Sequence, residues 1–231
     1  MLSHMSGSER SRIGFVLAGG KSSRMGTSID KAFLDFRGQT LLERALTVAG
    51  TVCDRVTIVG DPAKFEAVLS SQFSVLSKTQ RQSLRTENRE LRTVIADIFP
   101  GCGPLAGIHA ALTHSTADLN LMLAVDMPFV SSELLAFLFT AAEASDAVII
   151  TVPRTSRGFQ PLCAVYRRDF STVAEQALRA GKYKVDAAFS GVSVRVIEEN
   201  ELATAGFSEQ SFFNVNTPQD RLAAEGGLKP T

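Results

Sequence analysis

The run Leu17-Ala18-Gly19-Gly20-Lys21-Ser22-Ser23-Arg24-Met25-Gly26 puts two adjacent glycines and two cations directly behind a short apolar segment, Ile13 to Leu17. Paired glycines let backbone amides approach an anion without a Cβ in the way, and Lys21 and Arg24 add positive charge beside them. The loop is therefore suited to a phosphate. It is not a Walker A loop, because the glycine that motif needs five residues before Gly20 is Phe15. The dinucleotide fingerprint G-x-G-x-x-G fails as well, since Gly19 and Gly20 adjoin and the next glycine is Gly26. A turn without a ligand is the alternative, and the density of cations in a loop with nothing to pack counts against it.

Three further residues could work beside such a loop. Lys31 follows Asp30 at the edge of the apolar run Ala32-Phe33-Leu34. It is either an ordinary surface charge or a cation that reaches an α- or β-phosphate and neutralises charge developing in a transfer. Asp126 ends the apolar run Leu121 to Val125 and precedes Met127 and Pro128. A carboxylate at the mouth of a buried strand is costly unless paired, and Mg²⁺ is held by one or two carboxylates together with substrate phosphates; capping the turn before Pro128 is the other reading. Asp97, ahead of Gly103-Pro104-Leu105-Ala106-Gly107, is a candidate base reader, because one carboxylate can accept both N1–H and the 2-amino group of guanine. A loop-capping role is its alternative.

The elements that must carry these residues read as an α/β fold: short Val/Ile/Leu runs alternate with amphipathic stretches, the pattern of a mostly parallel sheet flanked by helices. Strands are expected at Ile13–Leu17, Val56–Val59, just before Ala96, Leu121–Val125, Ala147–Val152, Leu162–Tyr166, Val192–Ile197 and Phe212–Val215. Helices are expected over Leu41–Ala49 behind a Thr40 cap, from Pro62, from Pro104 to about Thr113, from Ser131 or Ser132 to Glu143, from Asp169 to Gly181, and from Thr217-Pro218 onward. One nucleotide-binding domain is expected over residues 13–226, between a polar tail at 1–12 and a second tail at 227–231. Residues 72–92 read as a basic surface insertion, with Arg81, Arg85, Arg89 and Arg92 on one helical face.

Composition narrows the partners. In 231 residues, 24 Lys plus Arg balance 24 Asp plus Glu, which leaves no net cationic field for a nucleic acid. No apolar stretch approaches the ~18 to 20 residues that span a bilayer, and no secretory h-region is visible, so neither membrane nor export is expected. Cys53, Cys102 and Cys163 are odd in number and scattered, which reads as buried thiols of a reducing cytoplasm. His4, His109 and His114 read as packing or solvated residues. A monomer is the expectation for oligomeric state.

The run from Leu17 to Lys31 resembles the nucleotidyltransferase signature LAGGxSxRMG followed by a lysine, and Gly103–Gly107 with Asp126-Met127-Pro128 matches two further blocks in the right order. Gln160-Pro161-Leu162-Cys163-Ala164-Val165-Tyr166 and Phe213-Asn214-Val215-Asn216-Thr217-Pro218 resemble the late motifs of molybdenum cofactor guanylyltransferases of the molybdopterin-guanine dinucleotide biosynthesis protein A type. The resemblance spans about residues 13–222. It implies a three-layer, Rossmann-like nucleotide-diphospho-sugar transferase fold and transfer of GMP from Mg-GTP to the molybdenum-molybdopterin cofactor, giving the guanine dinucleotide cofactor and pyrophosphate. It implies that Leu17, Ala18, Gly19, Gly20 and Lys31 contact GTP, that Asp97 lies at the guanine side, that Asp126 binds Mg²⁺, and that Asn214 and Asn216 lie near the pterin phosphate. Arg24 is assigned to the leaving pyrophosphate, and transient contact with molybdoenzyme maturation proteins is implied. The rival readings are a CTP-dependent molybdopterin cytidylyltransferase, a sugar-phosphate nucleotidyltransferase, and a non-catalytic GTP-binding module that delivers cofactor. Sugar-phosphate enzymes usually carry Lys-Pro after the first loop, whereas Lys31 is followed by Ala32.

Overall fold

A computed structural model describes residues 10–19, 30–65 and 94–225. The expected insertion at 72–92, residues 1–9 and 226–231, Gly20, Lys21 and Arg24 lie outside the described residues. The N-terminal tail expected over 1–12 is shorter than that, because Arg10 pairs with Asp146 and Arg12 already belongs to the first strand. One sheet organises the rest. Its strands are β1 (Arg12–Leu17), β4 (Arg55–Val59), β5 (Val94–Ile95), β6 (Leu119–Ala124), β7 (Ile150–Thr155), β9 (Cys163–Arg167) and β10 (Val194–Ile197), in the order β10-β7-β9-β6-β1-β4-β5. All pair in parallel except β9, which is antiparallel to β6 and to β7. A short β8 (Gly158–Phe159) folds back on β7.

The sheet is covered on both faces because its strands alternate. Val16 of β1 and Leu119, Leu121 and Leu123 of β6 point to one face, where they meet Leu42, Leu46 and Ala49 of α1 (Leu41–Gly50) and Leu134, Leu135 and Leu138 of α3 (Ser132–Glu143). Ile13, Phe15, Leu17 and Met122 point to the other, against Leu105, Ile108 and Leu112 of α2 (Pro104–His114) and Phe170, Ala174 and Leu178 of α4 (Phe170–Arg179). Each fully buried Leu or Phe in these layers contributes about 1.5–3 kcal/mol. The result is the three-layer α-β-α sandwich, with a mostly parallel sheet, that the motifs implied.

Local signals explain where the elements start. Thr40 and Glu43 form a reciprocal capping box at α1, Ser131 accepts from Leu134 N–H at α3, and Pro104 occupies the first turn of α2. Before α1, β2 (Asp35–Phe36) and β3 (Gln39–Thr40) form a hairpin whose two-residue turn holds Arg37 at φ 55° and Gly38 at φ 82°. Two left-handed residues make a type I′ turn, whose twist matches that of the flanking strands, and Gly38 adopts its conformation at no steric cost.

Several expectations shift. The strand expected over Ala147–Val152 begins at Ile150 and runs on to Thr155. No strand forms over Phe212–Val215: Glu209–Phe212 is a 3-10 turn, and Val215 N–H makes a single bond to the Asp126 carbonyl, 2.9 Å, in place of a ladder. The apolar residues Phe212, Phe213 and Val215 give the segment a strand-like composition, but buried Phe212 and Val215 stand three positions apart, a spacing that does not fit one face of a strand. The hairpin β2–β3 and the short helix α5 (Glu199–Thr204) were not anticipated, while the closing helix α6 (Pro218–Glu225) was. The three cysteines are free, yet only Cys163 is buried; Cys53 and Cys102 are partly exposed. No helix among the described residues is long and apolar enough to cross a membrane.

Candidate active site

After β1 the chain moves to β4 on one side and later returns to β6 on the other, so the order reverses between the C-terminal ends of β1 and β6. Such a reversal opens a crevice where α/β sheets bind ligands. Backbone bonds extend the pairing into the exits of both strands: Ala18 N–H donates to the Val59 carbonyl at 2.9 Å, and Val125 N–H donates to the Leu17 carbonyl at 3.1 Å. Leu17 and Ala18 are buried, whereas Gly19 emerges into solvent.

Asp126 leaves β6 at this crevice. Its Oδ2 receives a hydrogen bond from Lys31 Nζ at 2.5 Å, and the same ammonium donates to Asn216 Oδ1 at 2.6 Å. Lys31 is the first residue of a 3-10 turn, Lys31–Phe33, whose cap Asp30 accepts from Ala32 N–H at 2.9 Å and pairs with Lys64. Asn216 is fixed from the other side, because Asp220 Oδ2 accepts both Asn216 N–H and Thr217 N–H at 2.8 Å while Thr217 Oγ1 accepts Asp220 N–H at 3.1 Å. This box starts α6 and aims Asn216 at Lys31.

The second oxygen of Asp126, Oδ1, is buried and accepts no hydrogen bond among the described residues. An orphaned carboxylate oxygen in a site about 18% exposed costs free energy unless a cation meets it. The residues therefore fit a divalent metal. No group of three His, Cys, Asp or Glu side chains gathers among the described residues, so its remaining ligands would be phosphate and water oxygens, the way Mg²⁺ is commonly held.

Asp97 follows β5 on the opposite flank of the crevice. A Cβ built on Gly107 of α2 would lie 3.6 Å from Asp97 Oδ1 and 3.0 Å from Leu17 Cδ2, and one on Gly19 would lie 4.0 Å from Asp97 Oδ2. A glycine at 107 is what lets helix, strand exit and carboxylate approach this closely. Burial pushes the Asp97 carboxyl above the ordinary carboxylate range.

The structure thus brings Lys31, Asp126 and Asn216 together and sets Asp97 beside Gly19. Asn214 stands apart from this triad, its amide donating to the Phe212 carbonyl at 3.3 Å. His109 packs edge-on against Phe99, 5.2 Å between ring centres, and His114 bonds the Ala110 carbonyl, so both serve the helix as expected. Asp220 is a residue that the sequence reading above did not single out. The spacing Thr217-x-x-Asp220 was the signal for its box.

Residues 14–192 match the family described as the MobA-like NTP transferase domain. The "Probable molybdenum cofactor guanylyltransferase" of Pelotomaculum thermopropionicum is 35% identical, with 91% of this chain and 90% of that protein covered. The molybdenum cofactor guanylyltransferase of Desulfosudis oleivorans is 30% identical over 94% of this chain and 95% of its own. Among solved structures, molybdopterin-guanine dinucleotide biosynthesis protein A of Archaeoglobus fulgidus superposes with a TM-score of 0.73 at 27% identity, covering 93% of this chain and 97% of that one. With its strand order, its loop-strand-carboxylate crevice and these likenesses, the chain belongs to the MobA-like NTP transferase family, among the molybdenum cofactor guanylyltransferases.

Proposed function

We propose that the crevice transfers GMP from GTP to the terminal phosphate of molybdenum-bound molybdopterin, with release of pyrophosphate. The observation that carries this reading is the convergence of Lys31, Asp126 and Asn216, with the buried Asp126 Oδ1 lacking a partner, at the switch point of the sheet. The names of the relatives supply the substrates.

Asp126 would hold Mg²⁺, which when bound supplies Lewis-acid polarisation of the triphosphate. The attacking oxygen belongs to a phosphate monoester that is ionised at neutral pH, so no general base is needed. A P–O bond forms to the α-phosphorus as the bond to the β-phosphate oxygen breaks, and pyrophosphate carries away the electron pair. Lys31 neutralises the α-phosphate, and Asn216 keeps the ammonium pointed there. Leu17, Ala18, Gly19 and Gly20 line the triphosphate, Asp97 accepts the N1–H and 2-amino donors of guanine, and Arg24 meets the leaving pyrophosphate. Asn214 and Asn216 face the acceptor phosphate. The protein works as a cytoplasmic monomer that hands its product to maturation proteins.

The test is pyrophosphate release from GTP with acceptor or divalent metal withheld in turn. Release that requires both supports the reading. Release without acceptor makes the protein a GTP pyrophosphohydrolase, and no release under any condition leaves a binding module.

A further inference from the structure

A cavity of about 290 Å³ opens on the same sheet edge as the crevice but under β7, lined by Thr155, Arg157, Gln160, Glu209, Phe212 and Phe213. Two features tie it to the active site. Leu162, two residues beyond Gln160, accepts a backbone bond from Ala124 at the exit of β6, and Phe213 adjoins the Asn214–Asn216 segment that reaches Lys31. Asp97 lies across β1 from it, so the cavity and Asp97 flank the Lys31–Asp126 centre.

The cavity is built rather than merely left over. Gln160 is anchored by its amide to Thr155 Oγ1 at 3.1 Å, and the Phe213 ring is seated on Phe129, 6.2 Å between centroids. Glu209 Oε2 accepts from Ser156 Oγ at 2.9 Å. Its Oε1 is buried and accepts no aligned hydrogen bond, although Arg157 Nε lies 2.7 Å away. Glu209 is thus ion-paired with Arg157, whose side chain is about 65% exposed; with that guanidinium swung aside, a carboxylate beside aromatic rings suits a flat heterocycle that offers two neighbouring N–H donors. The volume lies at the lower end for small-ligand sites, roughly 300–1,000 Å³, which admits a fused bicyclic ring but not a whole dinucleotide.

We infer that this cavity receives the pterin ring of the acceptor, with Glu209 reading its 2-amino-4-oxo edge and Phe213 covering its face. The inference rests on the proposed transferase function and adds to it a specificity-determining residue. Glu209 distinguishes the acceptor, as Asp97 distinguishes the nucleotide.

The test uses the full chain with pterin-6-carboxylate as a fluorescent probe, followed by steady-state guanylyl transfer. Glu209→Gln is expected to weaken the probe roughly tenfold to a hundredfold and to raise the acceptor KM similarly, because a charge-assisted bidentate contact is lost. The KM for GTP and the melting temperature stay at wild-type values. Ser156→Ala keeps the carboxylate and is expected to bind the probe within about twofold of wild type. Equal probe affinity in wild type and Glu209→Gln, no probe binding by wild type, or a rise in the GTP KM instead of the acceptor KM each overturn the inference. Wild-type probe binding that Glu209→Gln abolishes, without any guanylyl transfer by wild type, keeps the cavity assignment and removes the transferase reading. Normal transfer with an unchanged acceptor KM in Glu209→Gln does the reverse.

Discussion

Lys31 Nζ lies 2.5 Å from Asp126 Oδ2 across 95 positions of sequence, and the same ammonium reaches Asn216 a further 90 positions on. One cation therefore ties together the segment after the glycine loop, the exit of the central strand and the start of the last helix. In the proposed reaction the ammonium turns from Asp126 to the α-phosphate, and the carboxylate it leaves is free to hold a metal.

Asp126→Asn keeps the shape of the side chain and removes its charge. The kcat is expected to fall by at least about a hundredfold, because charge stabilisation at the transferring phosphate is lost. Titrating Mg²⁺ into wild type and variant and following pyrophosphate release checks this: saturating metal rescues neither kcat nor the metal dependence of the variant.

Asn216→Ala leaves Lys31 with Asp126 but without its second support. A loss of about tenfold in kcat/KM is expected, the size of one hydrogen bond to a charged group. The GTP KM changes less than kcat if Asn216 orients Lys31 for the transfer. A change confined to the GTP KM would place Asn216 in nucleotide binding alone.

Asp220→Ala removes the carboxylate that accepts both Asn216 N–H and Thr217 N–H. About 1 kcal/mol of stability is expected to be lost, as for other caps at helix starts. Denaturant melts measure that term, and the activity of the folded variant should resemble Asn216→Ala rather than wild type.

Burial raises the Asp97 carboxyl above its ordinary value, so protonation favours the folded state. That stabilisation is present below the ordinary carboxylate range and is lost as pH rises through the raised folded value. Asp97→Asn is therefore expected to melt higher than wild type at neutral pH without nucleotide, and the difference should vanish at pH values below the ordinary range. With GTP the sign reverses, because guanine needs the carboxylate. The wild-type GTP KM rises as pH falls through the raised value, and the Asp97→Asn KM is high and flat.

The central strand and the site's charged residues were legible in the sequence for a common reason. Leu121 to Val125 is buried on both faces, which goes with an unbroken apolar run, and Asp126 is conspicuous for following it. Lys31 and the glycine loop stand out because charge and missing side chains have no packing role there. The contact of Lys31 with Asn216 was not legible, since nothing local records a partner 185 residues away. The antiparallel insertion of β9 between β6 and β7 was hidden similarly, because Cys163 to Arg167 carries the same apolar run whichever way it points. Phe212 to Val215 misled because its apolar composition suggests a strand, whereas its two buried residues stand three positions apart and the segment leaves a 3-10 turn. Glu209 and Arg157 gave no signal, as surface-type residues that become a cavity wall only when the 3-10 turn after α5 folds against β7.

The most direct measurement supplies equal GTP and CTP with Mg²⁺ and molybdenum-loaded molybdopterin, and identifies by mass which nucleotide becomes joined to the pterin. A product carrying GMP, with one pyrophosphate released for each, is the predicted result. A product carrying CMP would contradict the assignment of Asp97 to guanine, and recovery of unmodified molybdopterin would contradict the transferase itself.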